Sequence, residues 1–129
     1  MKIKVWSYEE EYRSIRKEIL KEVDKVFSSG HLILSKNVRT LELNFSRYLK
    51  LKYGIGVNSG TDAIQIALMS AKIGRGDEVI TVPNTAVPTV SAIVSCGAKP
   101  VFVDINEDDY LIDVNKIEEV INKKTKAII

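Results

Sequence analysis

Apolar residues recur at three- and four-residue steps through the first third of the chain. Tyr12, Ile15, Ile19, Leu20, Val23, Val26 and Phe27 follow the helical period. Ser28-Ser29-Gly30 supplies a stop, because glycine accepts the left-handed backbone at a helix C-terminus. His31 to Leu34 reads as a short apolar link. Ser35 is placed to cap a second helix, with Val38, Leu41, Phe45, Tyr48 and Leu49 as its apolar stripe. From Tyr53 the pattern changes. Tyr53-Gly54-Ile55-Gly56-Val57 predicts a strand, and a helix follows with Ala63, Ile64, Ala67, Leu68 and Ala71 on one face. Gly74-Arg75-Gly76-Asp77 predicts a turn. The rest reads as a strand over 78–82, a helix from about Ala86 to Cys96, a strand at 100–103, a short helix at 114–121 and a strand beginning at Lys126.

Short apolar strands alternating with helices predict βαβ units and a sheet covered on both faces. The expected organisation is an N-terminal helical part, residues 1–52, followed by βαβ units over 53–129. The sequence ends inside a predicted strand, whereas domain boundaries fall in linkers, so a fragment of a larger domain is expected.

Charge and cysteine content narrow the partners. Lysine and arginine number 19 against 17 acids, a net charge of +2. That balance predicts neither nucleic acid nor an anionic membrane as partner. The basic row Arg13, Lys17, Lys21 and Lys25 is interleaved with Glu10, Glu18, Glu22 and Asp24, the pattern of an ion-paired solvated face. Cys96 is the only cysteine, which precludes an internal disulfide and suits a buried thiol in a reducing compartment. No run of apolar residues is long enough to span a bilayer, and Met1 to Trp6 is too short in apolar character for a signal peptide. A cytoplasmic protein is the expectation.

The strongest candidate for chemistry is Asn58-Ser59-Gly60-Thr61-Asp62, between a predicted strand and a helix. Unpaired N–H groups of a first helical turn, a glycine permitting close approach and the hydroxyls of Ser59 and Thr61 together make a cup for a phosphate. Ordinary capping by Ser59 or Thr61 accounts for the same residues. Gly54, Gly56 and Gly60 are one residue too widely spaced for a dinucleotide fingerprint, and two of them fall inside the predicted strand rather than after it. Asp104, Asp108 and Asp109 read as acids of a solvated loop rather than a metal cluster. His31 has no second histidine or nearby cysteine to complete a metal site, and no metal is expected.

Four motifs then occur in order: Gly60-Thr61-Asp62-Ala63-Ile64; Gly74-Arg75-Gly76-Asp77-Glu78-Val79-Ile80; Gly97-Ala98-Lys99-Pro100-Val101-Phe102-Val103-Asp104; and Thr125-Lys126-Ala127-Ile128-Ile129. With Ser29-Gly30, Ile33-Leu34, Val38 and Glu42 upstream, the series resembles the DegT/DnrJ/EryC1/StrS family of pyridoxal-phosphate (PLP) sugar aminotransferases over nearly the whole chain. The resemblance implies an α/β fold, the large domain of a fold-type I PLP-transferase with a mostly parallel sheet, incomplete in this chain. It implies PLP as cofactor, with Gly60 and Thr61 on its phosphate and Ser59 beside them. The ring-stacking position falls on Ala86, where the family usually carries an aromatic, and Ser35 stands where it usually carries glycine. The lysine that forms the Schiff base and the aspartate that pairs with the ring nitrogen match positions beyond Ile129, so no catalytic residue is assigned here. Lys99 and Lys126, at strand starts, lie at the wrong end of a sheet for that role.

The function implied is transfer of an amino group from an amino acid, glutamate, to a keto group of a nucleotide-linked sugar, for amino-sugar and polysaccharide biosynthesis. The partners implied are the nucleotide sugar, the amino-acid donor and a second copy in a homodimer. The alternatives are a dehydratase of the same family with histidine in the lysine's place, and a non-catalytic regulatory or binding protein on the same scaffold. An unrelated nucleotide-binding module is disfavoured by the glycine spacing.

Overall fold

The computed structural model describes residues 6–129; Met1 to Val5, read above as part of a stretch too short for a signal peptide, lie outside the described residues. The chain divides into two compact units, one ending at Gly56 and the other Val57–Ile129.

The first unit holds α1 (Glu9–Ser28) and α2 (Lys36–Tyr48). Glu9, Glu10 and Glu11 in the first turn of α1 and Lys25 in its last complement the helix dipole. Ser29 caps its C-terminus and Gly30 takes φ +69, as the stop signal predicts. The side chains of the basic row are exposed, and Lys25 pairs with Glu22. Ser35 caps α2, its hydroxyl accepting from Asn37 N–H at 3.3 Å. Of the predicted apolar stripe of α2, Val38 is half-buried and Leu41, Phe45, Tyr48 and Leu49 are exposed among the described residues, while Ser46 is the buried residue of the helix.

The predicted strand Tyr53-Gly54-Ile55-Gly56-Val57 is not a strand, and this corrects the sequence reading. The segment has no ladder partner among the described residues, and α2 takes its backbone instead. Gly56 N–H donates to Glu42 Oε1 at 2.8 Å. A Cβ on Gly54 would lie 2.6 Å from the Glu42 carbonyl oxygen, so only glycine allows the approach. Alternation of apolar residues and glycine satisfies a helix-packed extended segment as well as a ladder, and the sequence does not separate the two.

The second unit runs α3 (Gly60–Ser70), β1 (Glu78–Thr81), α4 (Val87–Ser95), β2 (Lys99–Phe102), α5 (Val114–Val120) and β3 (Thr125–Ile128). Its three strands among the described residues are parallel, in the order β2-β1-β3. Central β1 is the most buried: Val79, Ile80 and Thr81 have no accessible surface. Its pairing with β2 runs from Glu78 opposite Lys99 to Thr81 opposite Phe102. Pro100, which lacks a donor, is tolerated because β2 lies at the edge of these strands. Val79 packs with Leu68 of α3, Ile73, Ile93 of α4 and Ala98, with Ile64, Cys96 and Ala127 around them. The apolar face predicted for α3 thus contributes Ile64 and Leu68 to the core. The predicted turn forms: Asp77 N–H donates to the Gly74 carbonyl at 3.0 Å, and Asp77 Oδ2 accepts from Gly74 N–H at 3.0 Å. Gly76 and Gly97 take φ +96 and +82.

At the amino end of the sheet, half-buried Glu78 ties the strands together. Its Oε2 accepts from Asn122 Nδ2 at 2.8 Å, and its Oε1 lies 3.4 Å from Lys99 Nζ. This bridges the point where the β1–β3 register shifts, between Glu78 and Val79. The Asn122 amide, more than the Lys99 ammonium, holds the Glu78 carboxyl below the usual carboxylate value.

Two outcomes follow for the protein. Ile93→Ala leaves a cavity against Val79 and Leu68 and is expected to cost about 2–5 kcal/mol in urea unfolding. Because the folded Glu78 pKa is depressed, its contribution is present above the unfolded carboxylate pKa and is lost as pH falls through the folded one. Asn122→Ala is expected to raise the Glu78 pKa toward the ordinary glutamate value, read by carboxyl NMR titration. An unchanged titration would remove Asn122 as the main cause.

Candidate functional site

Parallel strands force the connecting helix to run back across the sheet, so α4 begins at the carboxyl end of β1 and ends near the start of β2. Helix α3 packs on α4, and the residues that follow them lie together: a Cβ on Gly74 would sit 3.3 Å from the carbonyl oxygen of Cys96, whose Sγ contacts the Gln65 carbonyl in the middle of α3 at 3.5 Å. The two helices are therefore side by side in the same direction, with both N-termini at the carboxyl end of the sheet. That is where open α/β sheets carry their ligands.

Ser59 is the N-cap of α3, with extended backbone, and its Oγ accepts from Asp62 N–H at 3.1 Å. Ala63 N–H donates to the Ser59 carbonyl at 3.0 Å. The N–H groups of Gly60 and Thr61 have no partner among the described residues, and helix geometry directs them outward along the axis. Gly60 starts the helix, where glycine is a poor choice. Nothing among the described residues demands it: its φ is not positive, and a Cβ there would meet no described atom within 4 Å. The room it leaves lies beside two free donors. Thr61 is half-buried and its side chain has no hydrogen-bond partner among the described residues, so its hydroxyl is uncommitted there too. This donor set suits a phosphate, whose oxygens only accept, and no acidic side chain other than Asp62 stands in the first turn. Capping and cup are thus not rivals at these residues: Ser59 caps, and Gly60 with Thr61 stays open.

Ser59 itself departs from the sequence reading in one respect. Its hydroxyl proton is given to Asp62 Oδ2 at 2.9 Å, whereas in a capping box the side chain at this position accepts from the backbone N–H of the cap. Ala86 is the N-cap of α4, exposed and without a side-chain cap, followed by Pro88 in the first turn. Beside it Thr85 Oγ1 and Thr89 Oγ1 lie 3.0 Å apart. Also at the carboxyl end of β1, Thr81 Oγ1 is buried with no hydrogen-bond partner.

The remaining candidates separate from this end. Lys99 opens β2 at the opposite edge, against Glu78, and Lys126 Nζ reaches the Lys123 carbonyl at 3.1 Å. Asp104 and Asp109 accept from the N–H groups of Ile105 and Leu111, both at 2.9 Å, so they are turn formers. Among the described residues no three His, Cys, Asp or Glu side chains gather as metal ligands. His31, in the other unit, is exposed and lines a cavity of about 770 Å³ with Lys25, Ser29, Ser35, Lys36 and Asn37. No described helix is long and apolar enough to cross a membrane.

Comparison with known proteins gives the arrangement its context. The chain is 49% identical over 125 residues to a dTDP-3-amino-3,4,6-trideoxy-alpha-D-glucose transaminase of Micromonospora megalomicea subsp. nigra, covering 97% of this chain and 33% of the relative. It is 42% identical over 129 residues to a pleiotropic regulatory protein of Geobacillus stearothermophilus, covering 100% of this chain and 35% of that one. The chain thus spans about a third of the length of these curated relatives. The crystal structure of NtdA from Bacillus subtilis, with bound cofactor PMP, superposes with a TM-score of 0.86 at 36% identity, over 89% of this chain and 26% of that one. The architecture is that of the fold-type I aminotransferases. The model of the DegT/DnrJ/EryC1/StrS aminotransferase family matches residues 13–129, and the chain belongs to that family.

Proposed function

We propose that the full-length protein is a PLP-dependent aminotransferase that moves an amino group from an amino acid, glutamate, to a keto group of a nucleotide-linked sugar. It acts as a cytoplasmic homodimer in amino-sugar biosynthesis. The observation that carries the reading is Gly60: a helix-starting glycine for which the described residues set no conformational or steric need, beside two N–H groups without a partner among those residues, in a member of an aminotransferase family. A likeness to an enzyme named as a dTDP-amino-sugar transaminase and to a structure solved with PMP supports the substrate class and the cofactor.

In this reading the α3 N-terminus holds the cofactor's phosphate. Gly60 and Thr61 donate their N–H groups, Thr61 adds its hydroxyl, and Ser59 lies beside them as the cap that keeps the turn in shape. The helix dipole adds a positive end to the same point. The phosphate group is thereby the anchor that orients the rest of the cofactor over the carboxyl end of the sheet. PLP supplies the electron sink that lets an amino group be removed from one carbon and placed on another. Ala86, at the start of α4, presents a methyl group to the ring, with less contact area than an aromatic offers. The Schiff-base lysine and the ring-pairing aspartate belong to the part of the family's sequence beyond position 129. A regulatory role is the second reading, favoured by the likeness to a protein named as a pleiotropic regulator. A visible absorption band formed on adding PLP to the full-length protein, with amino transfer from glutamate to a nucleotide keto-sugar, separates the two. A band without transfer favours regulation.

Two substitutions test the cup. Thr61→Val removes one hydrogen bond to a charged group and is expected to weaken PLP binding by about 1.5–3 kcal/mol. Gly60→Ala is expected to weaken PLP binding while raising thermal stability by up to about 1 kcal/mol, because the protein alone has room for the methyl group. A PLP dissociation constant unchanged in both would sink the assignment. At the ring position, Ala86→Tyr is expected to tighten PLP binding or leave it unharmed, since the exposed N-cap has space for the larger side chain. A folded variant that no longer binds PLP would show that another side chain already covers the ring.

A further inference from the structure

The hydrogen-bond inventory of Ser59 bears on how the cup works. A serine hydroxyl has one proton and two lone pairs. Here the proton goes to Asp62 Oδ2 at 2.9 Å, and one lone pair receives Asp62 N–H at 3.1 Å. What Ser59 has left is a lone pair, which repels an anion. Resting on the reading of this helix end as a phosphate site, we propose that Asp62 is a positioning residue that withholds the Ser59 proton. The phosphate is then left to the Gly60 and Thr61 N–H groups and the Thr61 hydroxyl.

The arrangement has two consequences. Asp62 fixes the cap from both sides, since its N–H and its carboxylate grip the same hydroxyl. The first turn of α3 therefore keeps its shape without help from a ligand, and its two free donors stay aligned. Asp62 also brings a negative charge into the turn that receives an anion, where like charges oppose each other. The cup is preformed but held below its full affinity for a phosphate monoester. Freeing the Ser59 proton and removing the charge act in the same direction, toward tighter binding.

The test is a titration of the full-length apoprotein with PLP, with pyridoxal as the probe lacking phosphate and inorganic phosphate as competitor. Ser59→Gly, which removes the hydroxyl at a position where glycine is a tolerated cap, is expected to change the PLP dissociation constant by less than about threefold, since the Ser59 proton is already committed. Asp62→Ala is expected to tighten PLP and inorganic phosphate binding by at least about threefold and to leave pyridoxal unchanged. Adding Ser59→Gly to Asp62→Ala is expected to cancel most of that gain, a coupling that a merely structural role for Asp62 does not produce. Asp62→Asn keeps an acceptor for the Ser59 proton without the charge, and serves if the alanine variant does not fold. It is expected to tighten phosphate binding without making Ser59 matter. The proposal is overturned if Ser59→Gly alone costs more than about threefold, or if a folded Asp62 variant binds PLP no tighter than wild type. Thr61→Val distinguishes the two levels. If it weakens PLP binding while the Asp62 variants do not tighten it, only the role of Asp62 falls. If Thr61→Val and Gly60→Ala are both without effect, the phosphate site itself lies elsewhere.

Discussion

Burial of β1 between two parallel partners is the constraint on which the second unit depends. Val79, Ile80 and Thr81 are fully enclosed, so every polar group of that strand's backbone has to be met by β2 on one side and β3 on the other. Parallel pairing cannot be closed by a hairpin, so each connection crosses the sheet. The crossing made by α4, and the packing of α3 on it, bring two helix N-termini to one edge. The site is a product of that topology. No single motif produces it.

The two edges of the sheet are chemically different. The amino edge carries Glu78, Lys99 and Asn122, which satisfy one another and stitch β1 to its neighbours. The carboxyl edge carries uncommitted groups: the Gly60 and Thr61 N–H groups, the Thr61 hydroxyl and the buried Thr81 oxygen. Self-satisfied polar groups hold a fold together, whereas unsatisfied ones are costly unless something outside the protein meets them. The same comparison explains why Lys99 has a structural environment despite being a lysine in a family whose chemistry needs one.

At α3 the residues of the proposed cup divide between holding the turn and leaving it open. Ser59 and Asp62 spend their hydrogen bonds on each other, and this holds the turn. Gly60 does the reverse, giving up helix propensity for open space. The division is physically sensible. A phosphate is best met by donors that are aligned before it arrives and that lose no internal bond to receive it.

Local rules carried much of this into the sequence. Ser35 and Ser59 as caps, Gly30, Gly76 and Gly97 in left-handed backbone and the Gly74–Asp77 turn are consequences of chemistry within a few residues, and the parallel strands follow from the alternation of short apolar runs with helices, so both were legible. Ser59, Gly60, Thr61 and Ala86 were legible as a candidate site through an ordered set of motifs, with their roles left to a proposal. What was not legible depended on partners distant in sequence. Tyr53 to Val57 has a strand's pattern but no ladder partner among the described residues, and its Gly54 and Gly56 lie against α2 at Glu42. The stripe of α2 has a core helix's period, yet Leu41, Phe45, Tyr48 and Leu49 are exposed. Glu78 meets Asn122 only because the fold brings β3 beside β1. Periodicity states which residues want company; only the tertiary structure decides whether that company is present.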